Sequence, residues 1–163
     1  MRSMKPYYLL LAACGFLCAA GFLNAAGQEE SKQTPSTSAA PASAEPVTLD
    51  YQFFKQMVEP IYVRKRPGHA RCFQCHADPI MRIMALAPLQ HGVTTWTEEQ
   101  SRKNFNSVKS VAFPGDLESP LLLHPLATDA GGDDGHTGGK HFLTKDDPEW
   151  LTLRAFVMGA KLK

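Results

Sequence analysis

Apolar positions fall along this chain in three regimes. From Tyr7 to Ala26, "YYLLLAACGFLCAAGFLNAA", they are nearly continuous, follow Arg2 and Lys5, and include no charge. From Gly27 to Pro46, "GQEESKQTPSTSAAPASAEP", there is no aromatic residue, and Ser, Thr, Ala, Pro and Glu dominate. Beyond Val47 apolar residues return at helical spacing, in segments punctuated by Pro and Gly.

The first regime has the length of a membrane span, about 20 apolar residues, and the basic start of an export leader. Three outcomes fit residues 1–26: a cleaved signal peptide ending at the small residues of "CAAG" or "LNAAG", a retained N-terminal anchor, or lipidation at Cys14 within "LAAC". Each takes the chain out of the cytoplasm, to the periplasmic side, soluble or tethered to the inner membrane. Residues 27–46 cannot bury enough apolar surface to offset chain ordering, which predicts a disordered linker. The folded part is then 47–163, the common size of one domain.

Within it, "TLDYQFFKQMVEPIY" places Phe53, Phe54, Met57, Val58 and Ile61 on one helical face. Thr48 or Asp50 is available as the cap, and Pro60 is expected to end or bend the helix. "VRKRPGHAR" is a basic connection with a turn at Pro67-Gly68. "ARCFQCHADPIMRIMALAPL" carries a short helix across its cysteines and a second apolar stretch through Ile80, Ile83, Met84 and Leu86, both limited by Pro79 and Pro88. "TTWTEEQSRKNFNSVKSVAF" predicts a helix opened by Thr95 or Thr97 with a thin apolar face, Glu98 and Glu99 favouring its dipole. The run Leu121 to Leu123 starts a helix that ends before a loop with five glycines between Gly131 and Gly139. In "LTKDDPEWLTLRAFVMG", Thr144 or Asp147 caps, Pro148 suits the first turn, Trp150, Leu153, Phe156 and Val157 form the face, and Gly159 marks the stop. No repeat and no long alternating segment occurs, so the expected fold is mostly α.

Charge narrows the partners. With Arg2 and Lys5 set aside, the seventeen basic residues fall to fifteen, against sixteen acidic ones. That balance gives no case for nucleic acid. Cysteine is sparse: Cys14 and Cys18 lie in the apolar run, leaving Cys72 and Cys75 to the folded part, where a disulfide could only join those two.

"CFQCH" has three readings. A thioredoxin-type redox pair would need alternating strands and helices around it, which the chain lacks. Structural zinc needs two more ligands; His136 and His141 complete C-x2-C…H-x4-H, but across a gap of 60 residues. Covalent haem attachment uses all three residues, two thiols on one side of a short turn for the vinyl groups of one porphyrin edge and His76 as the proximal iron ligand.

This motif and the segments around it resemble the monohaem c-type cytochromes. More narrowly, "FKQMVEPIY…CFQCHA", "PGDLESPLLLHPLA", "HTGGKHF" and "DDPEWLTLRAFV" are similar to exported cytochrome c domains of planctomycete and acidobacterial proteins. The resemblance covers most of 47–163 and implies a cytochrome c-like helical domain around one haem c, an electron carrier with no catalytic residues. It departs from ordinary small cytochromes c in having no Met-Pro signature for the second axial ligand.

Met81 and Met84 stand too near the attachment turn for that role, and His91 and His124 read as loop-edge residues. His136 lies in "GGDDGHTGG", where glycines let the backbone approach a flat macrocycle, and it coincides with the histidine of the family-like "HxGGxxF". His141 and Met158 are the alternatives. The competing expectation for His136 is an exposed loop histidine. The strip Arg64, Lys65, Arg66, His69 and Arg71 is expected to meet haem propionates, an acidic redox partner, or only solvent. Trp96, Trp150, Phe142, Phe53 and Phe54 are expected in the core or the cofactor pocket. The functions that follow are a one-electron carrier for membrane-associated redox proteins, a haem-bearing subunit of a larger respiratory complex, or a gas-binding sensor or enzyme with an open sixth position.

Overall fold

The computed structural model describes residues 45–163. The expected leader or anchor at 1–26, with Cys14, and the expected linker as far as residue 44 lie outside the described residues. Within them the chain is mostly helical, with no strand and one isolated parallel bridge between Leu126 and Phe142. No helix among the described residues is long and apolar enough to cross a membrane.

The first helical stretch opens at Asp50, whose carboxylate accepts from the Phe53 amide at 2.7 Å; Thr48 is not the cap. It runs as α1 (Tyr51–Phe53), a π-helical turn (Phe54–Val58) and α2 (Glu59–Val63). Pro60 therefore does not end the helix. Proline has no N–H to give the preceding turn, and its ring would strike the carbonyl four residues back. The wide turn before it, where the Glu59 amide bonds to the Phe54 carbonyl, relieves that conflict. It also rotates the inward face: Met57 is 43% exposed, while Glu59 is buried beside Phe54, Val58, Ile61 and Tyr62.

Helix α3 (Cys72–His76) follows the basic connection, and α4 (Glu98–Val108) opens on a capping box between Thr97 and Gln100. The thin apolar face of α4 is explained by what it meets. Ser101 and Asn104 are buried and donate to the two carboxylate oxygens of Glu59, at 2.8 and 3.2 Å. Asn104 accepts from Ala87, and the Trp96 indole donates to the Ala87 carbonyl, both at 2.7 Å. The loop after α3 is thus tied down by polar contacts; Met84 and Leu86 are buried, Ile80 and Ile83 exposed.

Helix α5 (Pro120–Leu123) buries Leu121 and Leu122, and a short 3-10 turn (Thr128–Ala130) leads into the glycine loop. Helix α6 (Pro148–Val157) is capped by Asp147, which accepts from Glu149 at 2.9 Å and Trp150 at 3.4 Å. Phe156 of α6 sits 5.8 Å from Phe54 and 6.5 Å from Phe53, centroid to centroid, and the Trp150 indole donates to Leu122 at 3.1 Å. The core is this aromatic crossing, with Phe105 of α4 closing it 5.3 Å from Phe54. Burying rings in tilted, offset pairs contributes beyond area alone.

Candidate functional site

Helix α3 is too short to persist by itself; it is held from both ends. Gln74 turns back to accept from the Arg71 amide at 2.8 Å, and the His76 carbonyl accepts from Leu86 at 2.8 Å. Arg66, two turns of loop earlier, forks onto Asp147 at 3.0 and 3.1 Å and onto Glu149, and also donates to the His141 carbonyl at 3.1 Å. Arg64 lies 2.6 Å from Glu149. Arg64 and Arg66 of the expected propionate or partner strip therefore form a clamp between this connection and the start of α6. Lys65, His69 and Arg71 have no such carboxylate partner among the described residues.

The clamp and the loops frame an apolar cleft. Its inner part, about 70 Å³, is walled by Ile61, Tyr62, Met84, Leu121, Phe142 and Leu153. Its outer part, about 390 Å³, opens between α3 and the glycine loop. Cys72, His76, His136 and His141 line both parts. Cys75 lines the outer one only and is exposed. The two thiols are not joined. Burial pushes the Cys72 thiol up to about 11, opposite to the lowered value of a reactive redox cysteine. With no strand around it either, the thioredoxin reading loses its support.

His76 and His136 face each other across the cleft: centroids 6.3 Å apart, ring planes within 15° of parallel. A single metal ion between two imidazoles holds their centroids roughly 6 Å apart, two metal–nitrogen bonds of about 2 Å plus half a ring on each side. Burial lowers the His76 pKa against the opposing pull of the Ile83 main chain, and its buried Nδ1 has no hydrogen-bond partner. His136 Nδ1 is 2.6 Å from the Gly139 carbonyl, so it carries the proton and Nε2 is left for a metal.

His141 sits beside this pair, 5.8 Å from His136 at 65° and 4.8 Å from His69. Burial, then the neighbouring His69, His136 and Arg66, lowers its pKa to about 4, so it is neutral near pH 7. The remaining candidates separate. Met158 caps the end of α6, is 42% exposed and lines neither part of the cleft. His124 lines the cleft but is held through Nδ1 by Asp133. His91 is exposed and remote from the cleft lining; Met84 is in the inner wall and Met81 in the outer. Among the described residues no three of His, Cys, Asp and Glu are grouped to hold one metal ion. The Cys2His2 zinc arrangement is therefore not assembled.

The residues present suit a flat apolar group with a central metal: apolar walls, one thiol within the cleft and one at its mouth, and two near-parallel imidazoles 6.3 Å apart. Two contributors escaped the sequence reading. Tyr62 is buried in the inner wall with its hydroxyl unpaired. His69 belongs to the imidazole cluster rather than to a basic strip. Neither carries a local signal, because each reaches the site only through tertiary contacts. Comparison with protein-family models, curated proteins and solved structures gave no match.

Proposed function

We propose that 47–163 is an extracytoplasmic monohaem c-type cytochrome domain that passes single electrons between redox proteins. The observation that carries this reading is the parallel pair His76 and His136, 6.3 Å apart across an apolar cleft beside "CFQCH". When bound, one haem c supplies an iron that cycles between two oxidation states. The chain does the rest. Cys72 and Cys75 would anchor the group covalently, and His76 and His136 would ligate its iron, with His141 as the alternative to His136. Ile61, Leu121, Phe142 and Leu153 keep water from the buried face, and the lowered dielectric there strengthens every charge effect on the iron. Two imidazoles favour a lower potential than a His/Met pair and leave no open position. That supports a carrier over a gas sensor or enzyme. A haem-bearing subunit of a larger respiratory complex is the same chemistry with a fixed partner. Export, with attachment to the membrane through the N-terminus if the leader is retained, belongs to the same proposal.

The test is intact mass and an absorption spectrum of protein made with a haem-maturation system. One added porphyrin and a six-coordinate reduced spectrum unaffected by carbon monoxide are expected. His136→Ala should gain carbon monoxide binding in the reduced state. Colourless protein rejects the cofactor, and an unchanged six-coordinate His136→Ala rejects the ligand.

A further inference from the structure

We propose that the turn His136–Gly139 sets the plane of the His136 imidazole, which makes Gly138 and Gly139 positioning residues for the iron rather than spacers; this rests on His136 being a ligand. Two contacts lock the ring. At one nitrogen, Nδ1–H donates to the Gly139 carbonyl at 2.6 Å, and the Gly139 amide returns a bond to the His136 carbonyl at 3.1 Å. At the other side the ring occupies the space that a side chain on Gly138 would need: a Cβ there would stand 3.0 Å from Cε1, 3.5 Å from Nε2 and 3.6 Å from Nδ1. The Gly139 φ of +83° is a conformation that L side chains rarely adopt, so the carbonyl that orients the ring depends on glycine at that position. Neither contact alone fixes a ring on two rotatable bonds; together they do.

The result is the 15° between His136 and His76. Ring plane is an electronic variable. Each axial imidazole donates from one π face into one of the iron's two d orbitals of matching symmetry. Parallel rings act on the same orbital and split the pair; crossed rings leave the pair nearly degenerate. A ferric, low-spin iron between parallel rings gives a rhombic electron paramagnetic resonance spectrum. Crossed rings give a strongly axial one with a single large g value. The hydrogen bond to a carbonyl also strengthens His136 as a donor to the iron, which favours the ferric state.

The wild-type ferric holoprotein is therefore expected to show the rhombic spectrum. Gly138→Ala, whose new methyl pushes on Cε1, is expected to shift it toward the axial form. Thr137→Gly adds no atom but loosens the turn and is expected to broaden it; this variant decides if Gly138→Ala does not hold haem. A strongly axial wild type overturns the proposal, as does a sharp wild-type spectrum in whichever variant holds haem. Failure of the parent reading looks different, because His136→Ala then gains no carbon monoxide binding. Where His136 ligates but the turn does not orient it, His136→Ala gains that binding while Gly138→Ala and Thr137→Gly keep the wild-type spectrum.

Discussion

Arg66 shows how much one side chain can decide. Its guanidinium serves two carboxylates at the first turn of α6 and a backbone carbonyl next to the cleft, a set that only a planar fork can satisfy. Burial alone would raise the Asp147 pKa, but the Arg66 hydrogen bonds and charge, together with the Glu149 and Trp150 amides, outweigh it and hold the carboxyl below its usual value of 3.8. A carboxylate depressed in this way stabilises the fold above pH 3.8 and loses that contribution as pH falls below it. Arg66→Ala leaves Asp147 without a basic partner among the described residues and Glu149 with Arg64 alone, and a loss of about 2–4 kcal/mol in chemical denaturation is expected. Arg66→Lys should recover only part, because an ammonium cannot bond both carboxylates in one plane. Gly132 is more absolute: a Cβ would sit 1.9 Å from the Leu126 carbonyl oxygen. Gly132→Ala should cost above about 4 kcal/mol or prevent folding, read as lost soluble yield or a collapsed unfolding midpoint.

Elements follow local rules where their signals are local. Asp147-Pro148 opens α6 and Thr97 opens α4 as the sequence implies, since a cap and its first turn are contiguous in the chain. The stretch 51–63 breaks the rule because Pro60 imposes a wide turn that no fixed period describes, moving Glu59 inward in place of Met57. Burial raises the Glu59 pKa above 4.5, with Ser101 and Asn104 pulling it only part of the way back. Native protein then binds a proton that unfolded protein has released. Stability should fall as pH rises from 4.5 through the folded value and stay at the lower level by pH 7. Glu59→Gln keeps acceptors and donors for both partners without the charge. It is expected to flatten that pH slope and raise the unfolding midpoint at pH 7. A variant with the same slope as wild type would place the titration elsewhere.

At the scale of the whole molecule, a rigid crossing of helices carries a cleft whose rims are loops. The crossing is 51–63 against α4, α5 and α6; the rims are the segment after His76 and the glycine loop. The motif at Cys72–His76 and the glycines beside His136 are legible in the sequence, because the proposed haem attachment and backbone clearance would both need particular residues at particular spacing. Their approach to 6.3 Å is not, since it is set by the Arg66 clamp and the Leu126–Phe142 bridge, contacts between residues far apart in the chain. The same division predicts how the cofactor and the fold depend on each other. A group that binds only the folded state stabilises what it touches, and the proposed haem would touch the rims on one side and the inner wall on the other. Limited proteolysis should therefore cut the glycine loop between Gly131 and Gly139 faster in a Cys72→Ala/Cys75→Ala variant than in the pigmented protein, while cleavage within α6 stays slow in both. Equal cutting of that loop in the two proteins would mean that the cleft is closed without its cofactor. In that case the apolar walls and paired histidines would serve packing rather than binding.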